Sequence, residues 1–412
     1  MEHEQRMDGT ADRYDVERVR AGIPALAEGF AHLDGPGGTQ VPAVVADAVA
    51  TTFRTAVSNR GGAFVPSRRA EEVVDAARAA VADLVGGQPE GVVLGSSMTS
   101  VTYVLAGALA KGWGPGDEVV VSRLDHDANV RPWVQAAERA GATVRWIDVD
   151  PATCTLAGVS DMLSERTRLV AVTGASNLVG TRPDVRAVAD AAHAVGALVA
   201  VDGVHLTPHA SVDVAALGAD LYALSAYKLC GPHLGAAVAS PELLEGLRPD
   251  KLVPSSDAVP SRFEHGTPPF ELLAGLTAAV DWVAALLDDP GAPTPGSRRE
   301  RVLRSMAAVE AHEDVLLARL LAGLAELPVT TFGAAPVRTP TVAFRLAGRT
   351  PREVAEHLGS RGVCVGDGDF YARELALVLG LHGQGGVVRA GLAPYSDASD
   401  VDRLLAGLAE LA

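Results

Sequence analysis

The sequence predicts an α/β protein, with a large domain whose mainly parallel sheet is covered by helices and a smaller α+β C-terminal domain. From residue 70 onward, short apolar runs alternate with amphipathic segments of about a dozen residues, which is typical of βαβ units. A segment rich in proline and glycine, 288–300, interrupts this alternation. Beyond it, strands and helices are mixed, which favours a separate α+β domain. A chain of 412 residues is also too long for one ordinary core.

The elements of the first part of the chain follow from apolar spacing and run length. Residues 71–86 have the spacing of a helix, and the short apolar run 91–95 predicts a strand. The elements predicted next are a helix at 100–113, a strand at 118–122, a helix at 132–141, strands at 143–149 and 168–174, a helix at 184–196 and a strand at 197–203. Strands as uniformly apolar as these are expected where helices cover both faces of a parallel sheet.

The part of the chain after the break has a different order of elements. Its pattern predicts a long helix at about 301–326, a strand at 339–347, a helix at 351–362 and a last helix from Ser399. We therefore predict a large domain at 25–287 and a small domain formed by residues 1–24 and 288–412.

The composition excludes several classes of partner. A net charge of −16 repels nucleic-acid phosphates and anionic lipid, so we expect neither nucleic acid nor a membrane as a partner. The chain has no apolar run of the roughly 18–20 residues that a membrane span needs. Its first residues lack the basic start and apolar core of a secretory signal, so a cytoplasmic location is expected. Three widely spaced cysteines predict neither a disulfide framework nor a metal site.

Lysine is scarce, because almost all basic residues are arginine. The only lysines are Lys111, Lys228 and Lys251. Genomic composition bias is the ordinary explanation. Nevertheless, any chemistry that requires a lysine amine has only these three positions available.

Three polar clusters fall at predicted strand ends, where open α/β sheets bind ligands. The small residues 95–99 join a strand to a helix and could surround an anion with N–H groups and hydroxyls, although Ser and Thr there are also ordinary N-caps. Asp202 closes a strand and either begins a turn or faces a cationic group. Lys228 follows an apolar run, so its amine either extends to the surface or is neutral or covalently engaged.

Together the three clusters require one ligand with a phosphate, a cationic ring nitrogen and a carbonyl. Pyridoxal 5'-phosphate (PLP) has all three groups. The sequence therefore predicts PLP bound as a Schiff base to Lys228.

These residues, with motifs spread over roughly 30–395, resemble the class V aminotransferase-fold PLP enzymes. The resemblance is best to the cysteine desulfurase-like branch, whose relatives include cysteine desulfurase, selenocysteine lyase, isopenicillin N epimerase and kynureninase. It implies fold type I of the PLP-dependent transferases. The motifs that carry it are HLDGPGGTQVP (32–42), NRGG (59–62), LDHDANVRPW, GASNLVGT, VDGVH, FEHGTPP and VVRAGLAPY.

The resemblance also implies roles for the residues around the cofactor ring. His126 stacks on the pyridine ring, and Asp202 holds the pyridine nitrogen. Asn177 lies near the phenolic oxygen and the substrate, and His205 stands where relatives often have glutamine. The residues implied at the phosphate and its helix start are Ser96, Ser97, Met98, Ser225 and Tyr227.

Further roles implied by the resemblance concern the substrate and a second subunit. Thr267 matches a segment through which one subunit contacts its neighbour's phosphate, which implies a homodimer with shared active sites. Arg389 matches the arginine that binds the substrate α-carboxylate, for which a bidentate guanidinium is suited. Arg60 lies in the segment at the mouth of the site and is expected to contact the substrate.

One departure from the family pattern concerns sulfur. Desulfurases carry a nucleophilic cysteine on a mobile loop, and Tyr371 occupies its position here. Cys364 lies earlier, in a predicted strand, and is interpreted as a small core residue. Gly366 and Asp367 replace the basic residue common on that loop. Persulfide transfer is therefore not expected.

The predicted reaction is β-elimination, as in a C–S lyase acting on a cysteine-derived amino acid. The catalytic residues expected are Lys228, which moves the Cα proton, His126, Asp202 and Tyr371, which acts as an acid toward the leaving group. Transamination, epimerisation, decarboxylating or oxidative deamination, and cysteine desulfuration remain alternatives. A non-catalytic protein that retains PLP has no need for Arg389, and a nicotinamide enzyme is disfavoured because no GxGxxG follows the first strand.

Overall fold

The computed structural model describes residues 14–288 and 295–412, so parts of the predicted small domain and of the 288–300 connection lie outside the described residues. The helices are α1 (Val16–Ala21), α2 (Ala43–Arg54), α3 (Val65–Val85), α4 (Met98–Leu109), α5 (Arg131–Ala140), α6 (Val185–Ala194), α7 (Val214–Leu217), α8 (Pro241–Gly246), α9 (Phe270–Ala284), α10 (Arg298–Ala325), α11 (Pro351–Gly359), α12 (Arg373–Val378) and α13 (Ala398–Ala409).

The strands begin near the N-terminus and end just before the last helix. They are β1 (Ala31–His32), β2 (Val92–Gly95), β3 (Glu118–Ser122), β4 (Thr143–Val149), β5 (Leu156–Ala157), β6 (Thr167–Thr173), β7 (Leu198–Asp202), β8 (Leu221–Ser225), β9 (Gly235–Ala239), β10 (Val329–Phe332), β11 (Thr341–Leu346), β12 (Val363–Cys364), β13 (Gly366–Gly368) and β14 (Val387–Gly391).

The large sheet has eight strands in the order β2-β9-β8-β7-β6-β3-β4-β5. The central strands pair in parallel, whereas β9 runs antiparallel between β8 and β2, and β5 is an antiparallel edge strand. Because β2 and β8 are both antiparallel to β9, β2 points the same way as the central strands. The carboxyl ends of β2, β3, β6, β7 and β8 therefore meet at one edge of the sheet, where ligands bind in open α/β folds. The predicted mainly parallel sheet is confirmed.

The second sheet is antiparallel, with four strands in the order β10-β11-β14-β13. The apolar faces of α10, α11 and α13 pack against it in one hydrophobic cluster. The predicted α+β part of the chain is thus present. Since β13 pairs with β14, Gly366 lies opposite Arg389 across the two strands.

The hydrophobic contacts do not divide where the sequence suggested a domain boundary. Val19 of α1 and Met306 of α10 are buried in the cluster that covers the large sheet. The C-terminal half of α10 packs on the small sheet instead. The division at 24/25 and 287/288 therefore stays a prediction, and both of these helices contact the large domain.

Several helices begin earlier than apolar spacing predicts, because their first turns are polar or contain proline. α3 begins at Val65 rather than Glu71, and Pro66 lies in its first turn, where a missing N–H costs no hydrogen bond. α10 begins after Ser297, which forms a capping box with Glu300. No helix in the described ranges is both long and apolar enough to cross a membrane.

Candidate active site

A cavity of about 750 Å³ opens at the carboxyl edge of the large sheet and contains Lys228, Arg389 and Tyr371 in its lining. We call it the outer cavity. A smaller inner recess continues from it and shares Lys228. The predicted residues that line the inner recess are Ser97, Met98, His126, Asn177, Asp202, His205, Ser225, Tyr227 and Lys228.

Lys228 lies three residues beyond the end of β8 and is 7% exposed. Its amine forms no ion pair with another described residue. Burial, reinforced by the nearby Arg389 guanidinium and opposed by Asp202, lowers the Lys228 pKa from its usual value. A larger neutral fraction of the amine makes Lys228 a better nucleophile and base.

Asp202, the last residue of β7, is 4% exposed. Its Oδ1 accepts a hydrogen bond from the Val204 N–H at 2.9 Å. Burial raises the Asp202 pKa, which the Val204 N–H and the charge of Lys228 only partly oppose. The protein alone therefore does not make Asp202 a well-stabilised anion. A cationic group bound in the recess would supply the missing stabilisation.

His126 follows β3 at the end of a short turn. Its Nδ1 accepts the Ala128 N–H at 3.0 Å, which places the ring proton on Nε2 in the neutral form. Burial, with Lys228 and Arg389 adding to it, lowers the His126 pKa to about 4. His126 is therefore neutral at neutral pH and presents a flat, uncharged ring, which is suited to stacking.

Asp125 stabilises this turn through side-chain hydrogen bonds. It accepts a hydrogen bond from Asn129 Nδ2 at 2.7 Å and another from Ser122 Oγ. Burial raises the Asp125 pKa to about 8. Asp125 is thus a structural, mostly neutral carboxyl group.

Two buried polar atoms on the recess-lining residues have no hydrogen-bond partner within the described chain: His205 Nδ1 and Asn177 Oδ1. The other ring nitrogen of His205 contacts Thr341 Oγ1 at 2.9 Å, and Asn177 Nδ2 donates to the Phe370 carbonyl at 2.9 Å. Unpaired buried polar groups are costly, so these atoms indicate a polar ligand in the recess.

The N-terminus of α4 lies beside the same recess. Ser97 is its N-cap and accepts the Ser100 N–H at 3.1 Å, so the ordinary capping interpretation of this cluster also holds. A Cβ at Gly235 would lie 2.0 Å from the Met98 nitrogen, so only glycine lets β9 run this close to the helix start. The free N–H groups of a first helical turn favour an anion such as phosphate.

Arg389, in β14, is 5% exposed and lines the outer cavity. Its Nη1 donates to the Asn177 carbonyl at 2.8 Å, and its guanidinium carbon lies 3.8 Å from the centre of the Phe370 ring. Burial lowers the Arg389 pKa to about 9. No carboxylate of the described residues pairs with it, so a buried guanidinium is left to bind a carboxylate ligand.

Residues 369–372, which we call the strap, connect β13 to α12 across the outer cavity. Phe370 and Tyr371 have left-handed φ angles of 54° and 59°. Such conformations cost roughly 1–3 kcal/mol each in non-glycine residues and persist only where surrounding contacts hold them. The Tyr371 side chain is 73% exposed, and its ring centre lies 5.5 Å from that of His126.

Three predicted site residues do not line the outer cavity or the inner recess. Ser96 and Thr267 line a separate cavity of about 310 Å³. Arg60 instead pairs with Glu71, with 2.6 Å between Nε and Oε2. The roles predicted for Ser96, Thr267 and Arg60 therefore stay predictions.

The cysteines lie apart from both cavities, since no cysteine is among the residues that line them. Cys154 and Cys230 are fully buried, and burial raises their pKa values to about 11 and about 12. The interpretation of Cys364 as a core residue is wrong, because it is half-buried in the two-residue strand β12. Burial still raises its pKa.

Sequence reasoning missed several residues of the outer cavity, notably Tyr103, Asp127, Arg131 and Gln135. The four-residue spacing of Arg131 and Gln135 was an available signal, since it places them on one face of a helix, and Asp127 lies in the turn just before that helix. Tyr103 donates a hydrogen bond to Gln135 Oε1 at 3.2 Å across α4 and α5. Nothing in the sequence indicated that contact.

The residues of the recess fit PLP. Asp202 suits the ring nitrogen, the unpaired Asn177 amide oxygen and His205 ring nitrogen offer polar contacts, and the α4 N-terminus suits the phosphate. Lys228 supplies the amine for the carbonyl carbon. The chemistry of this set agrees with the ligand predicted from sequence.

Comparison with known proteins agrees with this geometry. Residues 31–289 and 302–404 match the model of the aminotransferase class-V family. The chain is 39% identical to an uncharacterized protein of Mycobacterium tuberculosis, covering 97% of this chain and 99% of that one. It is 32% identical to a cysteine desulfurase of Dickeya dadantii, covering 98% of each. The crystal structure of the Escherichia coli cysteine desulfurase CsdA matches with a TM-score of 0.83 at 27% identity, covering 96% of this chain and 98% of that one.

Proposed function

The chain belongs to the aminotransferase class-V family, and from that premise we propose that it is a PLP-dependent lyase that eliminates the β-substituent of a cysteine-derived amino acid. The predicted cofactor, fold and family are confirmed. The main support for an amino-acid substrate is Arg389, which lines the same cavity as Lys228. Its guanidinium is buried and has no carboxylate partner in the described chain.

The residues of the site have separate tasks in the proposed reaction. When bound, PLP draws electrons away from the Cα of the attached amino acid. Arg389 binds the α-carboxylate, and the Lys228 amine removes the Cα proton. Asp202 would hold the ring nitrogen in its protonated form, and neutral His126 would pack on the ring face. Tyr371 donates a proton to the departing sulfur at the open side of the cavity.

The size of the outer cavity supports a substrate larger than cysteine. A volume of about 750 Å³ is within the range of small-molecule sites, and its lining includes Tyr103 and Gln135 as well as the charged Asp127 and Arg131. We therefore expect an S-substituted cysteine to be a better substrate than free cysteine.

A panel of amino acids and cysteine S-conjugates, with products identified by mass spectrometry, tests the proposal. Elimination gives pyruvate, ammonia and a thiol. A keto acid that retains the side chain would establish transamination, a change of Cα configuration would establish epimerisation, and release of CO₂ would establish decarboxylation. Each of these three results, obtained without pyruvate, would contradict elimination.

Cysteine desulfuration is the second candidate, favoured by the similarity to desulfurases over almost the whole chain. That reaction needs a reactive thiolate near the substrate sulfur. Tyr371 holds the loop position, and the pKa values of all three thiols are raised by burial. The positions of the thiols therefore favour elimination.

Replacement of Cys154, Cys230 and Cys364 by alanine is expected to leave kcat/KM for the preferred substrate within about twofold, since none of the three lines either cavity. Mass spectrometry after incubation with L-cysteine should find no persulfide. The control is a circular-dichroism melting curve, which shows that the variant is folded. A persulfide mapped to Cys364, or inactivity of a folded Cys364→Ala variant, would favour the desulfurase.

The active form is expected to be a homodimer, in which Thr267 contacts the phosphate in the neighbouring site. Phe53 and Phe64 leave 70% and 51% of their surfaces exposed, and large exposed apolar side chains favour a subunit contact. Sedimentation at assay concentrations should show a dimer of about twice 42.4 kDa. An active monomer would contradict this prediction. The cytoplasmic location likewise stays a prediction.

A further inference from the structure

Glu374 lies two residues beyond the strap, in the first turn of α12. Its side chain is almost buried, with 8% exposure for the residue. One carboxylate oxygen contacts Arg131 Nη2, and the other lies 3.4 Å from Arg123 Nη1. Both arginines belong to the part of the chain that forms the large sheet. Glu374 therefore joins the end of the strap to the large domain.

The strap itself is attached to the same surface through its backbone. The Asp127 N–H donates to the Tyr371 carbonyl at 2.8 Å, and Asn177 Nδ2 donates to the Phe370 carbonyl at 2.9 Å. Asp127 also pairs with Arg131, with 2.8 Å between Oδ1 and Nε. Arg131 thus pairs with two carboxylates. One belongs to Asp127, whose backbone N–H donates to the strap, and the other to Glu374, just beyond the strap.

Phe370 links the strap to Arg389, the arginine proposed to bind the substrate carboxylate. Its ring covers one face of the Arg389 guanidinium at 3.8 Å, and Arg389 is further held by the Asn177 carbonyl. A strap that moved outward would remove this ring from Arg389 and admit water to it. Water at a guanidinium competes with a carboxylate for the same N–H donors.

The strap requires such attachments, because Phe370 and Tyr371 both have left-handed backbone angles. The α12 side chains Leu375 and Ala376 are buried in an apolar cluster that also includes Ala372 of the strap and against which Phe370 packs. This cluster retains the helix when a polar contact is lost. The ion pairs of Glu374 are therefore available to set the position of the strap without being needed for the fold.

We propose that Glu374 is a positioning residue for substrate binding: its ion pairs with Arg131 and Arg123 keep the strap closed, so that Phe370 holds Arg389 ready for the substrate α-carboxylate. This inference rests on the proposed amino-acid substrate.

The test uses the full-length protein with its cofactor and two variants, Glu374→Gln and Glu374→Asp. Glu374→Gln keeps the side-chain shape but removes the charge, and is expected to raise the KM for the best amino acid about tenfold, with a smaller change in kcat. Hydrogen–deuterium exchange should become faster in peptides covering 369–378 and at the Asp127 amide, and should stay unchanged elsewhere. Glu374→Asp, which keeps the charge, should recover part of both effects.

The matched control is Asp402→Asn, which removes one carboxylate from an exposed ion pair with Arg319 in the small domain. It should leave KM and strap exchange at wild-type values. Wild-type KM in Glu374→Gln, or a changed KM without faster strap exchange, would overturn the proposal. If Glu374→Gln is insoluble, Glu374→Ala, which also removes the charge, is tested by the same two measurements. If the wild-type chain turns over no amino acid, the proposed function fails, while the exchange comparison still decides whether Glu374 holds the strap.

Discussion

Lys228→Ala is expected to lower turnover by about 10³-fold or more and to abolish covalent attachment of the cofactor, since one amine serves as both attachment point and base. The buried position of Lys228 and its lowered pKa support both roles. Borohydride reduction of the wild-type protein followed by peptide mapping should place the cofactor on the peptide that contains Lys228. The reduced variant should carry no label.

The scarcity of lysine provides matched controls for this experiment. The two other lysines of the chain pair on the protein surface, Lys111 with Asp250 and Lys251 with Asp257. Lys111→Ala and Lys251→Ala are therefore expected to keep wild-type turnover and labelling. A label on either of these residues, or an active Lys228→Ala variant, would show that the attachment site has been assigned wrongly.

The sequence predicted the inner recess well, because its residues follow strand ends and parallel strands bring those ends together. All four of the following residues line one recess and lie at or just beyond the carboxyl ends of β3, β6, β7 and β8: His126, Asn177, Asp202 and Lys228. Each can be placed by its position after an apolar run, without knowledge of distant contacts. They can then be assigned to one site, because a single ligand has the chemical groups that these residues would bind.

The outer cavity was predicted less completely, because its geometry depends on contacts between distant parts of the chain. Glu374 and Arg131 are separated by 243 positions, and neither residue type nor spacing reveals that they pair. The partial exposure of Cys364 and the left-handed angles of the strap also depend on tertiary packing. Likewise, a single chain gives no test of the role predicted for Thr267, which concerns a second subunit.

Asp202→Ala is expected to lower turnover by about 10²–10³-fold, the usual effect of removing one preorganised charge from a reaction site. Deuterium exchange at the substrate Cα should fall in parallel, since the task assigned to Asp202 is to keep the ring nitrogen protonated. Some cofactor should remain bound, because Lys228 and the α4 N-terminus are unchanged. The measurements are kcat/KM, NMR detection of Cα exchange, and the absorbance of bound cofactor.

Asp202→Asn removes the negative charge but keeps the shape of the side chain. Its amide oxygen can still accept the hydrogen bond that Asp202 accepts from the Val204 N–H at 2.9 Å. Burial raises the pKa of Asp202 to about 6, so a cation beside the carboxylate stabilises its ionised form. Asn cannot stabilise that cation, and we expect it to be nearly as inactive as Ala despite normal folding. The control Asp117→Asn removes a carboxylate just before the amino end of β3, at the opposite edge of the sheet, and should be fully active. Near-wild-type turnover in Asp202→Asn would mean that another group holds the ring nitrogen, and that the carboxylate at the end of β7 is only a turn-forming residue.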